Sequence, residues 1–332
     1  MIRTAAGVMA VAAVALFAAS GPSPVLFMDV AVEAGLRGRT VIGGEKTKEY
    51  ILETTGGGVA ILDYDGDGWP DIFLVNGSRV ADPGPEKPTS RLYRNNRDGT
   101  FVDVTEKAGL VRSGWGQGAC VGDYNNDGHP DLLVTYYGRS ALYRNRGDGT
   151  FEDVAQRSGL LSAEDRYSTG CAFLDHDRDG DLDVFVSAYV AFEDALRFRP
   201  GTGQHCSWKG LEVMCGPKGL RGARNVLYRN EGDGTFSDVS GAAGILAPAP
   251  AYGFTPLVLD YDADGWPDIY VANDSTASLL FRNKRDGTFR ELGVASGAAL
   301  TEDGRAQAGM GVASADYDGD GWLDIVKTNF DD

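Results

Sequence analysis

Histidine is almost missing from this chain: there are three in 332 residues, and two of them, His129 and His176, fall inside aspartate-rich loops. No H-E-x-x-H helix, G-x-S-x-G elbow or phosphate-cradling glycine loop occurs, so the usual carriers of zinc, serine and nucleotide chemistry are absent. Cysteine is scarce too. Four are present without a C-x-x-C pair, which argues against structural zinc. Positive charge is in deficit, with 31 Lys and Arg against 48 Asp and Glu and a formal net charge of −17. Nucleic acid therefore finds no basic surface to meet. Long apolar runs are limited to Ala5 to Ala19, which follows Arg3 and ends in Ala18-Ala19-Ser20-Gly21, small residues of a signal-peptidase site. The stretch falls short of the ~20 residues that span a bilayer, so residues 1–20 are expected to be a cleaved signal and 21–332 the secreted or periplasmic protein, with a membrane anchor as the alternative.

What the chain has instead is aspartate in a fixed pattern. Five times it writes D-x-D/N-x-D-G-x-x-D between two short apolar runs that read as β-strands. Carboxylates at positions 1, 3, 5 and 9 with glycine at position 6 are how a short loop wraps a hard cation. Their oxygens converge, the main-chain carbonyl of position 7 adds another, and glycine permits the sharp turn. The candidate ligands are Asp63, Asp65, Asp67, Trp69 and Asp71 in loop 1, and Asp123, Asn125, Asp127, His129 and Asp131 in loop 2. Loop 3 offers Asp175, Asp177, Asp179, Asp181 and Asp183, and loop 4 offers Asp260, Asp262, Asp264, Trp266 and Asp268. Loop 5 offers Asp316, Asp318, Asp320, Trp322 and Asp324. Calcium suits the irregular oxygen shell of such a loop, whereas magnesium demands tight octahedral geometry, so up to five calcium ions are expected. A single string of this kind could be no more than an acidic turn; five in register point to metal. The loops hold twenty aspartates, more than the whole net charge of −17, so the acidity is local to them. Clustered carboxylates repel unless a cation neutralises them.

A second motif alternates with the first. Leu92-Tyr93-Arg94-Asn95 leads through Asp98-Gly99-Thr100-Phe101 to Asp103-Val104 and Ala108-Gly109-Leu110, and the pattern returns at Leu142 to Leu160, Leu227 to Ile245 and Leu280 to Gly297. Each copy reads as a hairpin turning on Asp-Gly, which accepts positive φ. Loop plus hairpin makes a unit of four strands, and successive first aspartates lie 60, 52, 85 and 56 residues apart. That period predicts an all-β fold, a β-propeller of four-stranded blades packed face to face.

The unit resembles the FG-GAP/VCBS repeat, the calcium-loop blade of integrin α-subunit propellers, over residues 27–332. The L-Y-R-N hairpins and the stretch from Cys206-Ser207-Trp208 to Met214-Cys215-Gly216 are similar to the cartilage-acidic-protein type, in which an ASPIC/UnbV module normally follows the propeller; nothing here matches that module. The resemblance implies calcium ligands at positions 1, 3, 5 and 9 of each loop. Asn125 departs from it, lowering the charge of loop 2 while keeping an oxygen. Four units are whole, the fifth stops after its loop and flanking strands, and residues 27–36 repeat the closing half of a hairpin. An open arc is the expectation, against closure of residues 27–36 onto Leu323 to Lys327.

An insertion at residues 187–224 accounts for the 85-residue interval. Cys206 and Cys215 inside it are expected to form a disulfide. Cys120 and Cys171 lie three and four residues before their loops, so strand alternation points them to opposite faces, and they are read as unbridged buried residues. The insertion carries Arg197, Arg199, Lys209, Lys218, Arg221 and Arg224, with His205 and Trp208 alongside. It is either a contact surface for an unknown protein or glycan or a lid over a blade edge. Arg146-Gly147-Asp148 spells an integrin-recognition tripeptide, but the equivalent turns explain it as part of the repeat. The recurring Arg94, Arg144, Arg229 and Arg282 are read as structural partners. Two functions stay open: a secreted binding or adhesion scaffold, or a calcium-dependent polysaccharide lyase or hydrolase.

Overall fold

The computed structural model describes residues 26–80, 88–160, 165–197, 199, 206–213 and 215–329. The expected signal, residues 1–20, and His205 lie outside them. Blade 1 is β1 (Val59–Leu62), β2 (Asp71–Leu74), β3 (Arg91–Asn95) and β4 (Phe101–Asp103). Blade 2 is β5 (Trp115–Gly122), β6 (Asp131–Gly138), β7 (Ala141–Asn145) and β8 (Phe151–Asp153). Blade 3 begins with β9 (Arg166–Leu174) and β10 (Asp183–Ala188), is interrupted by the hairpin β11 (Cys206–Trp208) and β12 (Leu211–Val213), and resumes as β13 (Val226–Asn230) and β14 (Phe236–Asp238). Blade 4 is β15 (Gly253–Leu259), β16 (Asp268–Asn273), β17 (Leu279–Asn283) and β18 (Phe289–Glu291), and blade 5 contributes β19 (Gly309–Ala315) and β20 (Asp324–Asn329). Every neighbouring pair within a blade is antiparallel. The expected all-β, incomplete propeller is what forms: among the described residues β20 pairs only with β19, and β1 only with β2.

Blade faces are buried against each other, which is why both faces of a strand are apolar. On β6, Leu132 and Val134 join the cluster shared with Phe73 and Leu92 of blade 1, while Leu133 between them joins Val184 and Val186 of blade 3. Each such side chain, once fully buried, contributes about 1.5–3 kcal/mol. Blades 3 and 4 meet through Phe185 and Phe281, and blades 4 and 5 through Tyr270 and Ile325. Among the described residues, alternation also marks a face that no blade covers. On β1, Ala60 and Leu62 are buried, whereas Val59 and Ile61 are 55% and 63% exposed.

The A-G-L turns are the joints between blades. Main-chain Phe151 N donates to Ala108 O at 2.9 Å, Phe236 N to Ser158 O at 2.7 Å and Phe289 N to Ala243 O at 2.8 Å. Residues 30–36 do the same for blade 1, with Phe101 N donating to Ala34 O at 2.8 Å. The closing half-hairpin seen in the sequence therefore serves as the cap of a blade joint. Gly159 shows why glycine is needed: its φ is +78°, and a Cβ there would sit 2.8 Å from Phe236 O.

One expectation is overturned. Cys120 and Cys171 form a disulfide, with Cα atoms 5.8 Å apart. The strand phasing was sound, since Cys120 pairs with Leu133 and Cys171 with Val186. Opposite faces of successive blades, however, are the ones that meet, so opposite phase brings the two sulfurs together. Blades 2 and 3 are further joined by β6 pairing with β9 at Tyr137–Tyr167 and Gly138–Arg166.

Cys206 and Cys215 are bridged as expected. The base of the insertion belongs to the core: Ala195 and Leu220 cluster with Ile51, Leu52, Trp115, Tyr167 and Tyr189 at the rim opposite the aspartate loops. Asp194, whose side chain is 4% exposed, accepts from Arg221 N at 2.9 Å and Arg221 Nε at 3.1 Å.

Candidate metal centres

Each loop joins the inner strand of a blade to the next, with position 9 opening the second strand: Leu62 faces Asp71, Gly122 faces Asp131, Leu174 faces Asp183 and Leu259 faces Asp268. Position 1 folds the loop. Asp63 accepts from Asp67 N at 3.0 Å and Gly68 N at 2.8 Å, and the same pair of bonds recurs at Asp123, Asp175, Asp260 and Asp316. Position 5 accepts the N–H of position 7, as Asp67 does from Trp69 at 2.9 Å. Position 9 of loops 1 to 4 is buried and tied on both sides, as Asp71 accepts from Tyr64 N at 3.1 Å and from Asn95 N, at the end of β3, at 2.8 Å, whereas Asp324 of loop 5 is half-buried and accepts only from Tyr317 N, at 3.0 Å.

The carboxylates converge. One oxygen from each of Asp63, Asp65 and Asp71 lies within 4.8 Å of the others, as do those of Asp260, Asp262 and Asp268, of Asp175, Asp177 and Asp179, and of Asp316, Asp318 and Asp320. Two position-3 oxygens, Asp177 Oδ1 and Asp262 Oδ1, are buried with no hydrogen-bond partner. Burial pushes the Asp131 carboxyl up to about 7 and that of Asp268 up to about 6, against the pull of their main-chain hydrogen bonds. Guanidinium groups act the other way on position 5: Arg97 holds Asp67, and Arg285 holds Asp264, below the usual carboxylate range. Orphaned, buried, all-oxygen donors of this kind fit a hard cation.

The same loops and hairpins match a family model described as FG-GAP-like repeat at residues 63–134, 123–186, 211–271 and 260–326. The chain belongs to the FG-GAP-like repeat family. Cartilage acidic protein 1 of Mus musculus is 27% identical over 277 residues, covering 82% of this chain and 39% of that protein. The Homo sapiens protein is 28% identical over 278 residues, covering 82% and 38%. The chain thus spans about two fifths of the length of these relatives. Among solved structures, an Agrocybe aegerita lectin that recognises non-reducing terminal N-acetylglucosamine has 17% identity and a TM-score of 0.37, covering 83% of this chain and 66% of the lectin. The V. cholerae biofilm matrix protein Bap1 has 15% identity and a TM-score of 0.36, covering 83% and 43%.

Within the FG-GAP blades, positions 1 and 3 come together in four loops, joined by position 9 in loops 1 and 4 and by position 5 in loops 3 and 5. In loop 2, Asn125 instead bonds Asp127, through Oδ1 to Asp127 N at 3.1 Å and Nδ2 to Asp127 Oδ2 at 3.0 Å. The position-7 side chains stay outside: Trp69 and Trp322 are 45% and 56% exposed, Trp266 lies under Arg178, and His129 lies where a Cβ on Gly147 would go. Sequence reading missed three features. Position 4 is left-handed in every loop, including Asn126, Arg178 and Ala263 with φ of 55°, 60° and 53°. His176, in place of the tyrosine at position 2, is buried and bonds Asp183 through Nδ1. Finally, the asparagine ending L-Y-R-N reaches the loops; its recurrence was the available signal. Two of the recurring arginines are loop partners, Arg144 on Asp127 at 3.2 Å and Arg282 on Asp262 at 2.7 Å, whereas Arg229 pairs with Glu231 of its own hairpin turn at 2.8 Å. In the Arg146-Gly147-Asp148 turn, Asp148 is engaged by Thr150 N and Oγ1 at 3.0 and 2.6 Å.

Proposed function

We propose that this protein is an exported FG-GAP propeller whose loops bind calcium, and that it serves as a binding scaffold for a protein or glycan partner. The convergence of carboxylates with orphaned buried oxygens at Asp177 and Asp262 is the observation that carries the metal reading. Such oxygens are costly to bury unless a cation completes them. The metal reading suits an exported protein, because low-affinity calcium loops fill where free calcium approaches millimolar. The two disulfides fit an oxidising compartment, and among the described residues no helix is long and apolar enough to cross a membrane.

Scaffolding is favoured over catalysis because the aspartates that could act as acid and base are accounted for as loop ligands. The insertion lies on the rim opposite the metal loops, so a partner met there would depend on calcium only through the stability of the blades. Much of its basic charge is used internally: Arg197 and Arg221 pair with Asp194, Arg199 with Glu49, and Arg224 bonds Leu246 O. Among the described residues of the insertion, the disulfide-tied hairpin with Leu211 66% exposed faces outward. Calorimetric titration tests the metal reading. Asp67→Ala and Asp264→Ala should each lower the number of bound calcium ions by one, and an unchanged count would remove their loops from the assignment. A glycan and protein array scored for both retention and cleavage separates scaffold from lyase or hydrolase.

A further inference from the structure

The asparagine closing each L-Y-R-N strand holds two loops at once. Asn145 Nδ2 donates to Tyr64 O, position 2 of loop 1 in the preceding blade, at 2.8 Å, and to Pro130 O, position 8 of its own loop 2, at 3.2 Å. Asn230 bonds Tyr124 O at 2.7 Å and Leu182 O at 3.1 Å, and Asn283 bonds His176 O at 2.8 Å and Pro267 O at 3.2 Å. In each case Oδ1 accepts the turn N–H two residues on, from Gly147, Gly232 and Arg285 at 3.0, 3.1 and 2.8 Å. The three side chains are almost sealed, their residues being 0%, 2% and 1% exposed. Asn95, with no described loop before it, accepts the same turn N–H from Arg97 at 2.8 Å, but its Nδ2 donates only to Pro70 O, at 3.0 Å, and it is less buried.

We infer that Asn145, Asn230 and Asn283 are positioning residues for the cation loops, each coupling the site of one blade to the site of the next. The inference rests on the calcium reading. The main-chain segment each carboxamide grips includes position 2, whose N–H bonds the position-9 carboxylate, and position 8, which precedes it. Losing the carboxamide loosens that carboxylate in two loops, while the main-chain bond from Asn145 N to Asp131 Oδ1 at 2.7 Å survives substitution. Groups that orient metal ligands typically contribute ten- to a hundredfold in affinity.

The test is a calcium titration of the ¹⁵N-labelled full chain, read at the position-6 amides of Gly68, Gly128, Gly180 and Gly265, one per loop. Asn145→Ala should weaken loops 1 and 2 by about ten- to a hundredfold and leave loop 4 unchanged. Asn283→Ala should weaken loops 3 and 4 and leave loop 1 unchanged. If Asn145→Ala fails to fold, Asn145→Asp keeps the size and the Oδ1 acceptor while removing the donor, and the same pattern is expected. Weakening of loop 2 alone overturns the coupling, as does equal weakening of every loop. Wild-type amides that ignore calcium overturn the metal reading itself.

Discussion

Asp131 is fully buried at the start of a strand, and its carboxyl is raised to about 7, whereas in an unfolded chain it would titrate near ~4. The cation-free fold therefore holds this proton more tightly than the unfolded chain does. Its contribution to stability is greatest below about pH 4 and declines as pH rises through about 7. Calcium needs the ionised form, so binding must expel the proton. Titrations near pH 6 in two buffers of different ionisation enthalpy should show proton release, with affinity falling as pH is lowered from 7 to 5. Affinity that ignores pH, with no proton released, would contradict a role for Asp131 as ligand. Residue-level reading of the sequence worked where chemistry leaves few choices: only a small set of residues makes an oxygen cage or a turn with positive φ. It failed at His176, because burial beside Asp183 is a property of the blade interface and not of the loop pattern.

At the scale of elements, the joints between blades decide what a substitution costs. Gly159 and Gly297 share a left-handed backbone, φ +78° and +81°, but only Gly159 has a neighbouring strand against the missing Cβ. Gly297→Ala should lose about 1 kcal/mol from strain alone, and Gly159→Ala about 1–3 kcal/mol. Urea unfolding of both variants in calcium measures the difference, and equal losses would mean that the Phe236 contact is unimportant. The bridge between Cys120 and Cys171 makes a separate claim: non-reducing peptide maps should recover it beside Cys206–Cys215. Replacing both residues of the inter-blade pair by alanine should lower stability by about 2–4 kcal/mol. Finding both thiols free after unfolding would refute it. Strand, loop and hairpin boundaries were legible because alternation and Asp-Gly turns are local signals. The pairing of Cys120 with Cys171 was not, since it depends on which faces of two sheets meet.

The described residues form an arc with an acidic rim, a core divided among blade interfaces, and a disulfide-tied insertion on the far rim. Its two ends leave apolar groups uncovered, Val59 and Ile61 at one and Tyr317, Leu323 and Val326 at the other, with the last three 80%, 46% and 61% exposed. The aspartates clustered in each loop repel one another when bare. Cations in the loops should therefore carry a large share of its stability. With calcium about tenfold above a site's dissociation constant, each filled site adds roughly 1.4 kcal/mol, so several together rival the stability of an ordinary domain. Differential scanning calorimetry with calcium, with EGTA, and with EGTA plus magnesium tests this most directly: the melting temperature should fall sharply on chelation and stay low with magnesium, whereas an unchanged melting curve would contradict the account.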